Sequence, residues 1–130
     1  MCLTRKHSNH LLIYSAGLSC DKQSLGATVF PAATGTAKDI DGALLCRWAL
    51  EGFGNVSALR QGLRDVNFVA PQHDINFANG HWVLRDALGD GVVIEFIEGR
   101  MKVYDDKNDG GTTGFGAMTN SPQFPWQAQP

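Results

Sequence analysis

The residues best suited to covalent chemistry are the three cysteines, Cys2, Cys20 and Cys46. A cysteine thiolate attacks carbonyl carbon readily. Removal of Met1 before the small residue Cys2 would place that thiol at the amino terminus of the chain. The odd number of cysteines and their irregular spacing do not predict a disulfide framework. Cys46 lies on an apolar helical face, and we interpret it as a small buried hydrophobic residue.

Metal chemistry is not predicted by the pattern of ligands. The four histidines are His7, His10, His73 and His81, and neither they nor the cysteines show the clustering of a zinc site. We therefore expect no metal site.

Two further motifs have simpler structural interpretations. Asp86 and Glu95 could form a carboxylate pair for acid/base catalysis, but they flank a predicted hairpin. Glu95 is more simply a solvent-side strand residue or an ion-pair partner. The Gly-rich segment 110–116 lacks the lysine and the helix that follow a phosphate-binding loop, so we interpret it as a flexible connection.

The composition limits the classes of function. A chain of 130 residues with 43% hydrophobic residues can form one domain with a single core. A net charge of −2 gives no basic surface for nucleic acid. No apolar run reaches the ~18 residues of a transmembrane helix, and the apolar run at 11–13 is too short for a signal peptide. We expect no membrane partner and, for the chain as it stands, a cytoplasmic location.

Two helices are predicted in the first half of the chain. The first begins near Asp39 or Asp41, either of which can cap it, and ends at Gly52 and Gly54. Its apolar stripe consists of Leu44, Leu45, Trp48 and Ala49. Asn55 caps the second helix, which also explains this residue more simply than its glycosylation sequon does. Val56, Leu59 and Leu63 face inward, and Arg60 and Arg64 face outward.

Strands are predicted on both sides of the helices. The segment 16–30 contains a strand or two with Leu18, Leu25, Val29 and Phe30 buried. After the helices come strands at 81–85, 92–97, 101–104 and 115–120, with turns at Gly89-Asp90-Gly91 and Glu98-Gly99-Arg100. Residues 1–14 show no period and remain an unassigned N-terminal segment. The order of elements predicts an α+β fold, an antiparallel sheet with two helices on one face.

Several blocks of this sequence resemble the choloylglycine hydrolase family, which comprises bile salt hydrolases and penicillin V acylases. The most specific blocks are Arg85-Asp-Ala-Leu-Gly-Asp-Gly-Val-Val-Ile-Glu-Phe96 and Met118-Thr-Asn-Ser-Pro-Gln-Phe-Pro-Trp-Gln127. The block at 16–21 and the helix 45–51 add weaker support. Family chains are more than twice as long, so residues 15–130 would form a partial domain of that type.

The resemblance implies an αββα sandwich of the N-terminal nucleophile (Ntn) hydrolase class and cleavage of linear amides. In this family the first residue of the mature chain is a cysteine. Its α-amine acts as general base, and its thiolate forms a thioester with the acyl group. Asn120 matches the asparagine of the family's Thr-Asn-x-Pro motif, which supports the oxyanion. Cys2 is the candidate nucleophile, and the alternative is a chance Met-Cys pair at a displaced start.

The sequence departs from the family pattern at other catalytic positions. Residues 3–13 contain no Gly-Arg-x-x-Asp segment. Tyr14 occupies the position of a second oxyanion asparagine, and the arginine near the family's C-terminal end has no counterpart.

Two hypotheses follow for the function of the chain. The first is an amide hydrolase of reduced size that uses Cys2 and Asn120 on a small-molecule amide, with no cofactor. The second is an inactive fragment that acts at most as a binding module, and the departures favour it for this polypeptide alone. A homo-oligomer is compatible with either hypothesis, because relatives are commonly tetramers.

Overall fold

The computed structural model describes the backbone of residues 3–7, 10–14, 17–72 and 79–105, and the side chains of 17–72 and 79–105. Several predictions lie outside these residues. They concern the fourth strand at 115–120, the Gly-rich segment 110–116, Cys2 and Asn120.

A six-stranded antiparallel sheet forms the centre of the described structure. Its strands are adjacent in the order β1-β2-β3-β6-β7-β8. They span Leu3–His7 (β1), His10–Tyr14 (β2), Leu18–Gln23 (β3), His81–Asp86 (β6), Gly91–Ile97 (β7) and Arg100–Asp105 (β8). Two short strands, Asp39–Asp41 (β4) and Asn67–Val69 (β5), pair in parallel beside it. This architecture confirms the predicted α+β class.

The first two strands correct the prediction that residues 1–14 have no assignable structure. β1 and β2 pair from Leu3 opposite Tyr14 to His7 opposite His10. β2 also pairs with β3, which joins both strands to the sheet. The apolar run at 11–13 is too short to distinguish a strand from other structure, which is why sequence patterning did not reveal the hairpin.

Two short helices lie between β4 and β5 in the chain. Helix α1 spans Leu45–Gly52 and follows a 3₁₀ turn at Gly42–Leu44, and helix α2 spans Val56–Gly62. Asp41 Oδ1 accepts a hydrogen bond from the Ala43 N–H, so Asp41 caps the 3₁₀ turn. Asn55 Oδ1 accepts from the Ala58 N–H at 2.8 Å, which confirms the predicted cap of α2. Among the described helices none is long and apolar enough to span a membrane.

Both helices pack on one face of the sheet and form the main core with it. The helices contribute the buried residues Leu45, Cys46, Ala49, Leu50, Val56 and Leu59. The facing sheet residues are Leu18, Cys20, Trp82, Leu84, Val92, Ile94 and Phe96. The inward positions predicted for α2 are confirmed. In the apolar stripe predicted for the first helix, however, Leu44 is 47% exposed, because it belongs to the 3₁₀ turn and not to α1.

The segment that connects β3 to β4 contains a second corrected prediction. Leu25 is buried as predicted, but Val29 is 54% exposed. The backbone of Val29 hydrogen-bonds to Phe96 and Gly99, so the residue runs along the end of β7 and directs its side chain outward. The turns at Gly89 and Gly99 are confirmed, with φ of 88° and 75°.

Phe96 is the central residue of an aromatic cluster within the core. Its ring stacks on Phe30 at a centroid distance of 4.6 Å and meets Trp82 and Phe68 edge to face at 5.5 and 6.1 Å. Phe96 is fully buried. The cluster therefore joins the connecting segment, β6 and β5 around one side chain of β7.

We predict that Phe96→Ala lowers the free energy of unfolding by about 3–5 kcal/mol, because the cavity would remove contacts with three rings. Urea denaturation followed by circular dichroism measures this loss. Leu88→Ala is the matched control, since Leu88 is 77% exposed in the β6–β7 turn. Equal losses in the two variants would contradict the central role of Phe96.

Candidate functional site

A histidine and a glutamate form the most deeply buried polar pair of the described structure. His81 Nδ1 lies 2.8 Å from Glu95 Oε2, and both side chains are 0% exposed. They lie opposite each other on β6 and β7. The pair closest to the hairpin turn is Arg85 and Gly91, and His81 and Glu95 are four residues further from the turn along each strand. The turn at Gly89 fixes this register, and so it brings the two residues together.

The pair lies on the sheet face opposite the helices. The register places Gln23, His81, Glu95 and Lys102 side by side on four strands. The adjacent row on this face contains the buried residues Val83 and Val93, against which Tyr104 packs. Strands β6 and β7 are therefore buried on both faces at these positions, and the face opposite the helices combines apolar residues with a histidine–carboxylate pair.

The geometry of the pair orients the imidazole ring of His81. A carboxylate that accepts a hydrogen bond from Nδ1–H fixes both the ring and its tautomer. In that tautomer Nε2 is an acceptor, and it has no hydrogen-bond partner among the described residues. A buried nitrogen held in this way can accept or transfer a proton, or position a neighbouring group.

The pair corrects the interpretation of Glu95 as a solvent-side residue. Glu95 is buried, and its carboxylate pairs with the imidazole of His81. The signal was present in the sequence, because hairpin register around Gly89 makes His81 and Glu95 opposite neighbours. No single motif reveals such a pair, since its two members are 14 residues apart.

Asp86 has a structural role and does not form a carboxylate pair with Glu95. Its Oδ2 accepts a hydrogen bond from the Val56 N–H at 2.8 Å, at the start of α2. Its Oδ1 accepts from the N–H groups of Leu88 and Asp90 in the hairpin turn. Asp86 thus joins the turn to the helix terminus, where a carboxylate is favourable.

Asp39 is the centre of a second polar cluster, at the start of β4. Its carboxylate accepts hydrogen bonds from Asn67 Nδ2 at 2.9 Å, from the Thr34 hydroxyl and N–H, and from the Gly35 N–H. The Asn67 side chain makes the largest contribution, and together these donors hold the pKa of Asp39 well below its ordinary value of 3.8. The cluster ties the loop 34–38 to β5 and is structural.

Two of the three cysteines form a disulfide. Cys20 on β3 is bonded to Cys46 on α1, and the two Cα atoms are 5.5 Å apart. Cys46 is buried as predicted, but the bond corrects the expectation that the cysteines do not form a disulfide. Sequence spacing gave no signal for it, since only the packing of α1 on β3 makes the two residues neighbours. The bond leaves Cys2 as the remaining cysteine of the sequence and the remaining candidate for a thiol nucleophile.

Other described features do not form a site. A cleft of about 260 Å³ is lined by Arg60, Leu63, Arg64, Met101 and Val103. It is smaller than most ligand pockets, and Asp105 lies 3.2 Å from the guanidinium of Arg60. Within residues 17–72 and 79–105 no three His, Cys, Asp or Glu side chains are grouped as metal ligands.

The chain belongs to the family of linear amide C–N hydrolases known as the choloylglycine hydrolase family, whose profile matches residues 8–129. The match contains both the described hairpin and the block that includes Asn120. It thereby confirms the family resemblance noted in the sequence.

Curated relatives and solved structures agree with this assignment. The chain is 30% identical over 81 residues to the bile salt hydrolase/transferase of Clostridium perfringens, covering 61% of this chain and 22% of that protein. It is 29% identical over 118 residues to the penicillin V acylase of Pectobacterium atrosepticum, covering 85% of this chain and 30% of that protein. The chain therefore spans less than a third of the length of these relatives.

The structural comparison supports the fold assignment. A crystal structure of a variant of the conjugated bile acid hydrolase from Clostridium perfringens matches with a TM-score of 0.70 at 23% identity. The match covers 95% of this chain and 38% of that one. The architecture described above is thus part of an Ntn-hydrolase sandwich.

We predict a strong energetic coupling between His81 and Glu95. Either His81→Ala or Glu95→Ala should lower the free energy of unfolding by about 3 kcal/mol, because it leaves the other polar group buried. The double variant should lose less than the sum of the two single losses, by at least ~1 kcal/mol. Glu95→Gln should cost less than Glu95→Ala, since its amide oxygen can still accept from Nδ1–H. Additive losses in urea denaturation would contradict the pair.

We predict that acid weakens the fold through Asp39. Because the pKa of Asp39 is lowered in the folded chain, its ionised form stabilises the fold above the unfolded pKa. This contribution is lost as the pH falls below about 4, toward the folded pKa. Asp39→Asn should therefore be less stable than the wild type at neutral pH and lose less stability on acidification, and Asn67→Ala should show an intermediate loss. Parallel pH profiles of unfolding for all three chains would disprove this role.

Proposed function

We propose that this chain is part of a hydrolase of linear amides, with Cys2 as nucleophile and Asn120 as oxyanion support. The single observation that carries the proposal is the family match over residues 8–129, which includes the Thr-Asn-Ser-Pro motif around Asn120. The relatives named above are a bile salt hydrolase and a penicillin V acylase. We therefore infer a small-molecule amide as substrate, with a conjugated bile salt or penicillin V as the first candidates.

The described architecture supports this proposal in one respect. In a four-layer αββα sandwich, each sheet carries helices on one face and packs against the second sheet with the other. Here the face opposite the helices contains the buried residues Val83, Val93, His81 and Glu95. Burial on both faces is what the inner sheet of such a sandwich requires.

The proposed chemistry uses a thiolate and an amide side chain. Removal of Met1 gives Cys2 a free α-amine, whose pKa lies below that of a lysine amine, so it can accept the thiol proton. The thiolate adds to the amide carbonyl, and the Asn120 amide donates a hydrogen bond to the oxyanion. Collapse breaks the C–N bond, and the protonated amine leaves. Water then hydrolyses the thioester, which releases the carboxylic acid and the free thiol.

The disulfide narrows the choice of nucleophile. Since Cys20 and Cys46 are bonded to each other, neither supplies a thiolate. At the position of the family's second oxyanion asparagine this chain has Tyr14. This difference favours the binding-module alternative, because a phenol is larger than an asparagine amide and donates only one hydrogen bond.

An acylation experiment tests the proposal. The proposal requires that the purified chain, incubated with conjugated bile salts or penicillin V, loses Met1 and carries an acyl group on Cys2, as read by intact-mass and peptide mass spectrometry. Cys2→Ser should lose the thioester adduct. Asn120→Ala should slow acylation by about 10²–10³-fold, the effect of losing one oxyanion donor.

Asn108→Ala is the matched control, because it removes an asparagine amide outside the motif. It should acylate at the wild-type rate. Binding of the same compounds without any adduct, in a chain whose circular dichroism shows it folded, would favour the binding module. An adduct that persists in Cys2→Ser would exclude Cys2 as the nucleophile.

A further inference from the structure

The disulfide joins the centre of the sheet to the helical layer. Cys20 lies in the middle of β3, opposite Ile13 on β2 and Leu84 on β6. Cys46 lies in the first turn of α1, 26 residues later. The two side chains are 0% and 2% exposed. The cross-link is therefore inside the main core and out of contact with solvent.

Helix α1 depends on this attachment because it is short. Helices of fewer than ~12 residues are marginal in water on their own, and α1 has eight. Besides Cys46, its buried residues are Leu45, Ala49 and Leu50. Its hydrogen-bonded side-chain pair, Arg47 and Glu51, is exposed and adds little stability.

The chain between the two cysteines increases the effect of a cross-link. Residues 32–38 of this connection are exposed. Beyond the end of β3 its backbone is held to the sheet at Thr28, which forms a bridge with Ile97, and at Val29, which bonds to Phe96 and Gly99. Closing a loop of this length by a covalent bond removes much conformational freedom from the unfolded chain.

We propose that the Cys20–Cys46 bond is a redox-dependent structural cross-link that holds the helical layer on the sheet. The folded chain would protect the bond from reductants, and the reduced chain would be markedly less stable. Formation of the bond transfers two electrons and two protons from the two thiols to an oxidised disulfide reagent, which leaves as a dithiol. A chain built in this way suits an oxidising compartment. This inference does not depend on amide hydrolysis.

The protein should be able to hold Cys2 as a thiol while Cys20 and Cys46 remain joined as a disulfide. Burial limits attack by an external thiolate on the Cys20–Cys46 sulfurs. A mild reductant should therefore keep Cys2 in the thiol form and leave the disulfide intact. Reduction of the disulfide should require opening of the core.

Alkylation under denaturing conditions tests the oxidation state. We expect the chain made in an oxidising host and denatured without reductant to take up one alkyl group, at Cys2. After denaturation with dithiothreitol it should take up three. Uptake of three alkyl groups without reductant would overturn the proposal.

Thermal unfolding tests the structural role. Reduction should lower the Tm of the wild-type chain by about 10 °C, the shift expected for a cross-link closing a loop of this size. Cys2→Ser should show the same shift, because it retains the disulfide. The double variant Cys20→Ala/Cys46→Ala should have a low Tm that dithiothreitol does not change.

Two controls keep the outcome decisive. If the double variant does not fold, the reduced and oxidised forms of the wild type and of Cys2→Ser still give the comparison. In the native state, reduction of the disulfide should be far slower than in urea. An unchanged Tm in a chain shown by alkylation to be fully reduced, or equally fast reduction in both states, would overturn the proposal.

Discussion

Burial of one apolar sheet face beneath two short helices is the interaction on which the described structure depends. Neither α1 nor α2, with eight and seven residues, is long enough to be stable alone. Both gain their stability from contact with Trp82, Leu84 and Phe96 on the sheet. The disulfide acts in the same layer, because it joins α1 to the middle of β3. Hydrophobic contact and the covalent bond therefore hold the same two elements together.

Hydrogen bonds from polar side chains fix the positions of α2 and of the loop 34–38, which burial of apolar surface alone does not specify. Asp86 connects the β6–β7 turn to the start of α2, and Asn55 caps the same helix. Asp39 connects the loop 34–38 to Asn67 on β5. Burial of apolar surface has no direction, whereas hydrogen bonds do. Asp86 and Asn55 consequently fix the start of α2 relative to the sheet, and Asp39 fixes the loop 34–38.

The opposite face of the sheet has a different chemical character. It combines Val83 and Val93 with the polar pair His81 and Glu95, all of them buried. The 2.8 Å contact between the two side chains offsets part of the cost of burying two polar groups. The pair was absent from the site residues predicted from the sequence.

The sequence determined the elements whose signals are local. The cap at Asn55, the inward positions of α2 and the turns at Gly89 and Gly99 follow from side-chain chemistry within a few residues. The family could also be identified from short blocks, and the profile match confirmed it. For Cys2 and Asn120, that resemblance is still the basis of the proposed roles.

The tertiary structure alone decided what depends on contacts between distant segments. Pairing of β1 with β2 joins a polar segment to the short apolar run at 11–13, and neither segment by itself predicts a strand. The Cys20–Cys46 bond exists because α1 packs on β3, and the outward side chain of Val29 follows from its backbone bonds to β7 and the adjoining turn. Glu95 is buried because the sheet face opposite the helices is covered at this position. The alternation of apolar and polar residues along a strand would by itself predict that this face is exposed to solvent. Sequence spacing specifies which residues share a face, but only folding determines which faces are covered.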